Sequence, residues 1–109
     1  MLNKEELNDE ALTMIASRFR VLSDPMRLKI LHTLGQCEMN VSDLVEAIGA
    51  GQANVSKHLG VMHDAGVVTR RKEGLNSFYK VSDETIFELC DVVCARLKEQ
   101  LESRRAVFN

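Results

Sequence analysis

Tryptophan is absent from this 109-residue sequence, tyrosine occurs once and phenylalanine four times. So few rings argue against a sugar-binding face or a base-stacking platform, both of which are built on aromatic side chains. Proline also occurs once and glycine six times, which excludes collagen-like and low-complexity chains. Long apolar runs are missing too. None approaches the roughly 20 residues that a membrane-crossing helix needs. The opening Met1-Leu2-Asn3-Lys4-Glu5-Glu6 lacks the apolar stretch of a secretory leader. Cysteine is limited to three, an odd number that suits reduced thiols better than a disulfide framework. A soluble, cytoplasmic protein with no membrane partner is expected. Catalytic signatures are lacking as well. Gly49-Ala50-Gly51-Gln52 follows a helical stretch rather than a strand, so it is no nucleotide loop, and no nucleophile–base pair is legible. No enzyme is expected.

Charge is present and unevenly placed. The net charge is −2, yet residues 52–80 carry Lys57, Arg70, Arg71, Lys72 and Lys80 against only Asp64 and Glu73. One cationic third between two anionic flanks fits a footprint on phosphate. A solvated helix face and a solvated turn are the plain alternative.

Hydrophobic spacing supplies the elements. Leu7, Ala11, Met14, Ile15, Phe19 and Leu22 recur at steps of three and four, predicting a helix over about 4–21. Ser23-Asp24-Pro25 reads as a capped start for a second helix, which ends at Gly35. Ser42 can cap a short third helix to about Ile48, stopped by Gly49 and Gly51. A fourth, over about 53–65, turns Val55, Leu59 and Met62 inward and ends at Gly66. The period then changes to that of strands at 67–72 and 77–81, joined through Glu73-Gly74-Leu75-Asn76. A last helix over about 84–104 aligns Ile86, Leu89, Cys90, Val93, Cys94, Leu97 and Leu101. The expected fold is mainly α with a small β-hairpin (α+β): one winged helix-turn-helix domain over 1–109, in the order ααααββα. The helix-turn-helix falls at about 42–65 and the wing at about 67–81.

The run Leu22-Ser23-Asp24-Pro25-Met26-Arg27-Leu28-Lys29-Ile30-Leu31, then Gln52-Ala53-Asn54-Val55-Ser56-Lys57-His58-Leu59, then Arg71-Lys72-Glu73-Gly74 and Phe78-Tyr79, resembles the ArsR/SmtB family of metal- and thiol-responsive bacterial repressors. The resemblance covers roughly residues 10–100 in the family's order and spacing. It implies a homodimer through the first and last helices, bound to an imperfect palindrome in double-stranded DNA and released by an inducer. No cofactor is implied for DNA binding itself. The residues support this independently. Gln52, Asn54, Ser56, Lys57 and His58 open the fourth helix with short or forked hydrogen-bonding groups suited to base edges and phosphates. Arg70, Arg71 and Lys72 would hold the backbone from the wing.

Two sensor sites of the family are not matched. Asn40-Val41-Ser42 stands where the family's Cys-x-Cys would fall. Asp83, Thr85, Arg96 and Glu99 stand where a last-helix zinc site would fall, two ligands of four and no histidine. A thiol pair used by a persulfide-sensing branch would fall near His32 and Lys98. What remains is Cys37, Cys90 and Cys94. The last two, four apart on a helix, have Cβ atoms about 6 Å apart. That is wide for a disulfide, and suits a bridging thiophile: As(III), Cd(II), Hg(II) or a sulfane-sulfur chain. Were the second and last helices antiparallel, Cys37 would lie near Cys94 and complete a three-thiolate set. Soft metal ranks slightly ahead of sulfur. Against both stands simple packing, since free cysteine behaves as a small hydrophobe. His32 and His63 read as surface or half-buried residues.

Overall fold

The computed structural model describes residues 3–108. Residues 1, 2 and 109 of the expected domain lie outside the described residues. The elements run α1 (Asp9–Leu22), α2 (Pro25–Leu34), β1 (Met39–Asn40), α3 (Val41–Ile48), α4 (Gln52–Asp64), β2 (Val68–Glu73), β3 (Asn76–Val81) and α5 (Thr85–Phe108). The order is therefore ααβααββα, with one strand more than the sequence suggested.

Each difference has a local cause. α1 starts at Asp9 rather than near residue 4 because Asn8 caps it, its side chain accepting from the Ala11 N–H at 2.8 Å. Upstream, Asn3 Oδ1 accepts from the Glu6 N–H and closes a separate turn. α3 is capped by Asn40, which accepts from the Asp43 N–H at 2.8 Å, so it begins one residue before Ser42. Replacing Asn40 by Ala is expected to cost about 1 kcal/mol of unfolding free energy. A urea titration with an unchanged midpoint would remove that role. α5 runs on beyond residue 104 to Phe108.

Asp24 caps α2 as its sequence promised, accepting from the Met26 and Arg27 N–H groups, with Pro25 in the first turn. Gly49 ends α3 at φ 76°, a left-handed conformation that costs a side chain strain. Gly74 does the same for the wing at φ 61°. There β2 and β3 pair in antiparallel register from Val68↔Val81 to Glu73↔Asn76. Two-residue β1 joins the other side of β3, pairing Met39 with Tyr79 and Asn40 with Phe78, and gives the sheet order β1-β3-β2.

The core gathers Ile30, Leu31 and Leu34 of α2, Leu44 and Ile48 of α3, Val55, Leu59 and Met62 of α4, Val67 just before β2, and Val68, Tyr79 and Val81 of the sheet. Among the described residues of α1 and α5, only Leu22 and Ile86 are buried. Apolar residues along both helices stay exposed: Leu12, Met14, Ile15 and Phe19 on α1, and Leu89, Val92, Val93, Leu97 and Leu101 on α5. The molecule is correspondingly open. Its radius of gyration is 17.0 Å, against about 13 Å for a compact domain of about 100 residues. No helix among the described residues is long and apolar enough to cross a membrane.

Candidate nucleic-acid interface and thiol groove

α3, the turn Gly49-Ala50-Gly51 and α4 form the helix-turn-helix. Val55, Leu59 and Met62 are completely buried and fix α4 against the core. Gln52, Asn54, Ser56 and Lys57 are all exposed. Gly51 caps the helix without a side-chain hydrogen bond. The first N–H groups of α4 thus keep no side-chain partner, which leaves the positive end of the helix open to an anion.

His58 departs from this set. The residue is 6% exposed and turned inward. Nδ1 accepts a hydrogen bond from Arg27 Nε at 3.1 Å, and Nε2 lies 4.0 Å from Asp24 Oδ1. The expectation that it stands among the outward-facing residues is corrected: α4 turns it past the edge of its exposed face.

The wing carries Arg70 and Lys72, both exposed and without a carboxylate partner among the described residues. Arg71 lies on the other face of the strand, among partners distant in sequence. Its guanidinium makes a forked ion pair with Glu38, 2.6 Å at the shortest, reaches Glu73 at 2.8 Å, and covers the Phe78 ring at 4.7 Å. Arg71 therefore fastens the wing to the segment before β1 instead of standing free as Arg70 and Lys72 do.

Three carboxyls titrate below their ordinary range. Asp24 is held down first by its capping hydrogen bond from Arg27, Glu38 by the hydrogen bond from Arg71, and Asp83 by the hydrogen bond from Thr85. A depressed folded-state value stabilises the fold above the ordinary carboxylate range and loses that contribution as pH falls through the folded value. The melting temperature should hold from neutral pH to about pH 5 and then fall, less steeply in Glu38→Gln. Parallel melting curves for parent and variant would remove Glu38 from this account.

The second feature is a groove of about 740 Å³ between the α1–α2 corner and α5. Phe19, Leu22, Leu28, Val93 and Leu97 make most of its wall, and Cys90 and Cys94 open into it. His32 and Lys98 line it as well. Cys90 is half-buried and its thiol is pushed up, chiefly by burial and then by Asp91 and Cys94. Cys94 is exposed. Cys37 is exposed too, but it sits in the turn after α2 and does not line the groove. Among the described residues no three Cys, His, Asp or Glu side chains converge as a metal site. The three-thiolate set is thus not assembled within one protomer. α2 ends at Leu34, before Cys37, so the facing positions extrapolated along it do not exist. Asp83, at the abandoned zinc position, is occupied by Thr85 and, at 3.4 Å, by Arg18.

A helix-turn-helix followed by a cationic hairpin is the winged-helix arrangement of DNA-binding regulators of transcription. The family model for bacterial regulatory proteins of the arsR family matches residues 24–70. The chain is 32% identical over 85 residues to the HTH-type transcriptional regulator KmtR of Mycobacterium tuberculosis, covering 78% of this chain and 65% of that one. It is 34% identical over 95 residues to the uncharacterized HTH-type transcriptional regulator Rv0081 of the same organism, covering 86% and 83%. The crystal structure of Rv0081 superposes with a TM-score of 0.76 at 31% identity, covering 89% of this chain and 98% of that chain. The solution structure of the homodimeric winged helix-turn-helix domain Mb0332 from Mycobacterium bovis gives 0.75 at 27% identity, covering 94% and 95%. The chain belongs to the arsR family of bacterial regulatory proteins.

Proposed function

We propose that this protein is a homodimeric repressor that reads an imperfect palindrome with α4 and lets go of it when a thiophile binds Cys90 and Cys94. The observation that carries the DNA half is the outer face of α4. Gln52, Asn54, Ser56 and Lys57 project exposed from a helix whose inner face is wholly buried. Gln52 and Asn54 suit adenine edges in the major groove, while Ser56 and Lys57 suit phosphate or guanine. Arg70 and Lys72 hold the backbone beside it, and Arg71 positions the wing through Glu38. Pairing of two protomers through α1 and α5 would cover their exposed apolar residues, and Mb0332 is homodimeric.

Titrating the protein with duplex from upstream of its own gene, and with a scrambled duplex, over a range of salt tests this. Affinity should fall steeply with salt. Arg70→Ala and Lys72→Ala should each weaken both duplexes alike and make the salt slope shallower by about one. Gln52→Ala and Ser56→Ala should instead reduce the preference for the operator. Equal weakening of both duplexes by all four would overturn the assignment of base reading to α4.

For the inducer, two thiols on one groove favour a soft, thiolate-seeking ion such as As(III). Arsenous acid condenses with two thiols, releasing two waters and leaving an As–OH on the adduct. Sulfane sulfur would add sulfur atoms instead, and intact mass spectrometry of the reduced protein separates the two.

A further inference from the structure

Among the described residues His58 is the one buried polar or charged side chain of the core. Its neighbours on the inner face of α4, Val55, Leu59 and Met62, are completely buried and need no polar partner. An apolar residue at 58 would satisfy packing equally well. The imidazole instead accepts from Arg27 Nε at 3.1 Å, while Arg27 Nη1 donates to the Val21 carbonyl at 3.2 Å. That carbonyl belongs to the last turn of α1, where helix carbonyls have no partner in their own helix. Arg27 is held in turn at its backbone, because Asp24 Oδ1 accepts from its N–H at 3.2 Å. One guanidinium thus joins the end of α1, the start of α2 and the middle of α4.

We infer that Arg27 and His58 are positioning residues that set the roll of α4 about its own axis, and with it the aim of Gln52, Asn54 and Ser56. The inference rests on the reading of α4 given above. Apolar contacts are non-directional and tolerate rotation of a helix over them; a hydrogen bond into a ring nitrogen does not. At a side-chain radius of about 5–6 Å, a roll of about 20° moves a side-chain tip by about 2 Å. A shift of that size takes a donor out of the narrow distance range of a base-edge hydrogen bond. The clamp refers this roll to α1, whose exposed apolar face would meet the second protomer. Two recognition helices held this way keep a fixed aim relative to each other. Phosphate attraction depends on charge and tolerates the same roll, so discrimination is what the clamp controls.

The test compares full-length parent, His58→Leu, His58→Asn, Arg27→Met and the His58→Leu/Arg27→Met double variant on operator and scrambled duplexes. Asn places an acceptor oxygen where the imidazole has Nδ1; Leu does not. His58→Leu and Arg27→Met should each lower the operator preference by about tenfold, with scrambled-duplex affinity and dimerisation unchanged. The double variant should be no worse than either alone, and His58→Asn should stay close to the parent. Arg27 is only half-buried, so Arg27→Met carries the test if His58→Leu fails to fold. A His58→Leu protein that discriminates as the parent does, or a His58→Asn protein as poor as His58→Leu, overturns the clamp. A parent with no operator preference overturns the reading of α4 first, and the clamp with it.

Discussion

Leu97→Glu is expected to yield a folded monomer that no longer holds its operator. Leu97 is 52% exposed in the protomer and continues the row Leu89, Val93, Leu97, Leu101 along α5. The helix-turn-helix core does not include it, so the substitution leaves that core in place. In a two-fold symmetric interface every residue is used twice, so each substitution would bury two unpaired carboxylates. The effect on DNA follows from linkage. Two half-sites bound by one dimer gain about 10²–10⁴ in affinity over separate protomers, and a monomer loses it. Light scattering on a sizing column reads the mass, and fluorescence anisotropy with operator duplex reads the affinity. A dimeric Leu97→Glu protein with parental affinity would remove α5 from the interface.

Cys94→Ser should bind its operator as the parent does and fail to release it on addition of arsenite. Cys94 is exposed on the groove wall, whereas burial keeps the Cys90 thiol protonated further up the pH scale. An incoming ion would meet the exposed Cys94 first, and the half-buried Cys90 would close the chelate. Cys90→Ser should therefore also block release, and Cys37→Ser, which lies off the groove, should not. The energy required is small. Tenfold weaker DNA binding needs about 1.4 kcal/mol of preference for the DNA-free arrangement. Both thiols lie on the α5 wall, so an adduct there would press on the facing α1–α2 corner, where Arg27 Nη1 holds the Val21 carbonyl. Operator affinity of the three serine variants with and without arsenite decides the matter. Parental release by all three would make the cysteines ordinary packing residues.

The helices were legible where their ends carry local chemistry. Asp24-Pro25 opens α2 and the glycines at 49 and 66 close α3 and α4, because caps and left-handed turns are settled within a few residues. The outward set on α4 was legible for the same reason: its inward partners, Val55, Leu59 and Met62, fix the phase of the helix. What stayed hidden depends on distant partners. Met39-Asn40 has no strand pattern and becomes one only by pairing with Phe78 and Tyr79. Glu38 and Arg71 are 33 residues apart, as His58 and Arg27 are separated by 31. Periodicity at His58 shows a position near the rim of the buried face, without saying which way the ring turns. Cys37 was misplaced by extending α2 three residues past its last turn.

The sheet order leaves β2 on an outer edge, with its unpaired N–H and C=O groups facing water. Such an edge can template a strand from another molecule, and natural sequences guard it with charge. Here Arg70, Arg71, Lys72 and Glu73 occupy four successive positions on it. The residues proposed to hold phosphate thus also keep wings of free molecules from stacking edge to edge. Stripping several of these charges together would give a protein whose first fault is precipitation, and whose poor DNA binding would then be misread.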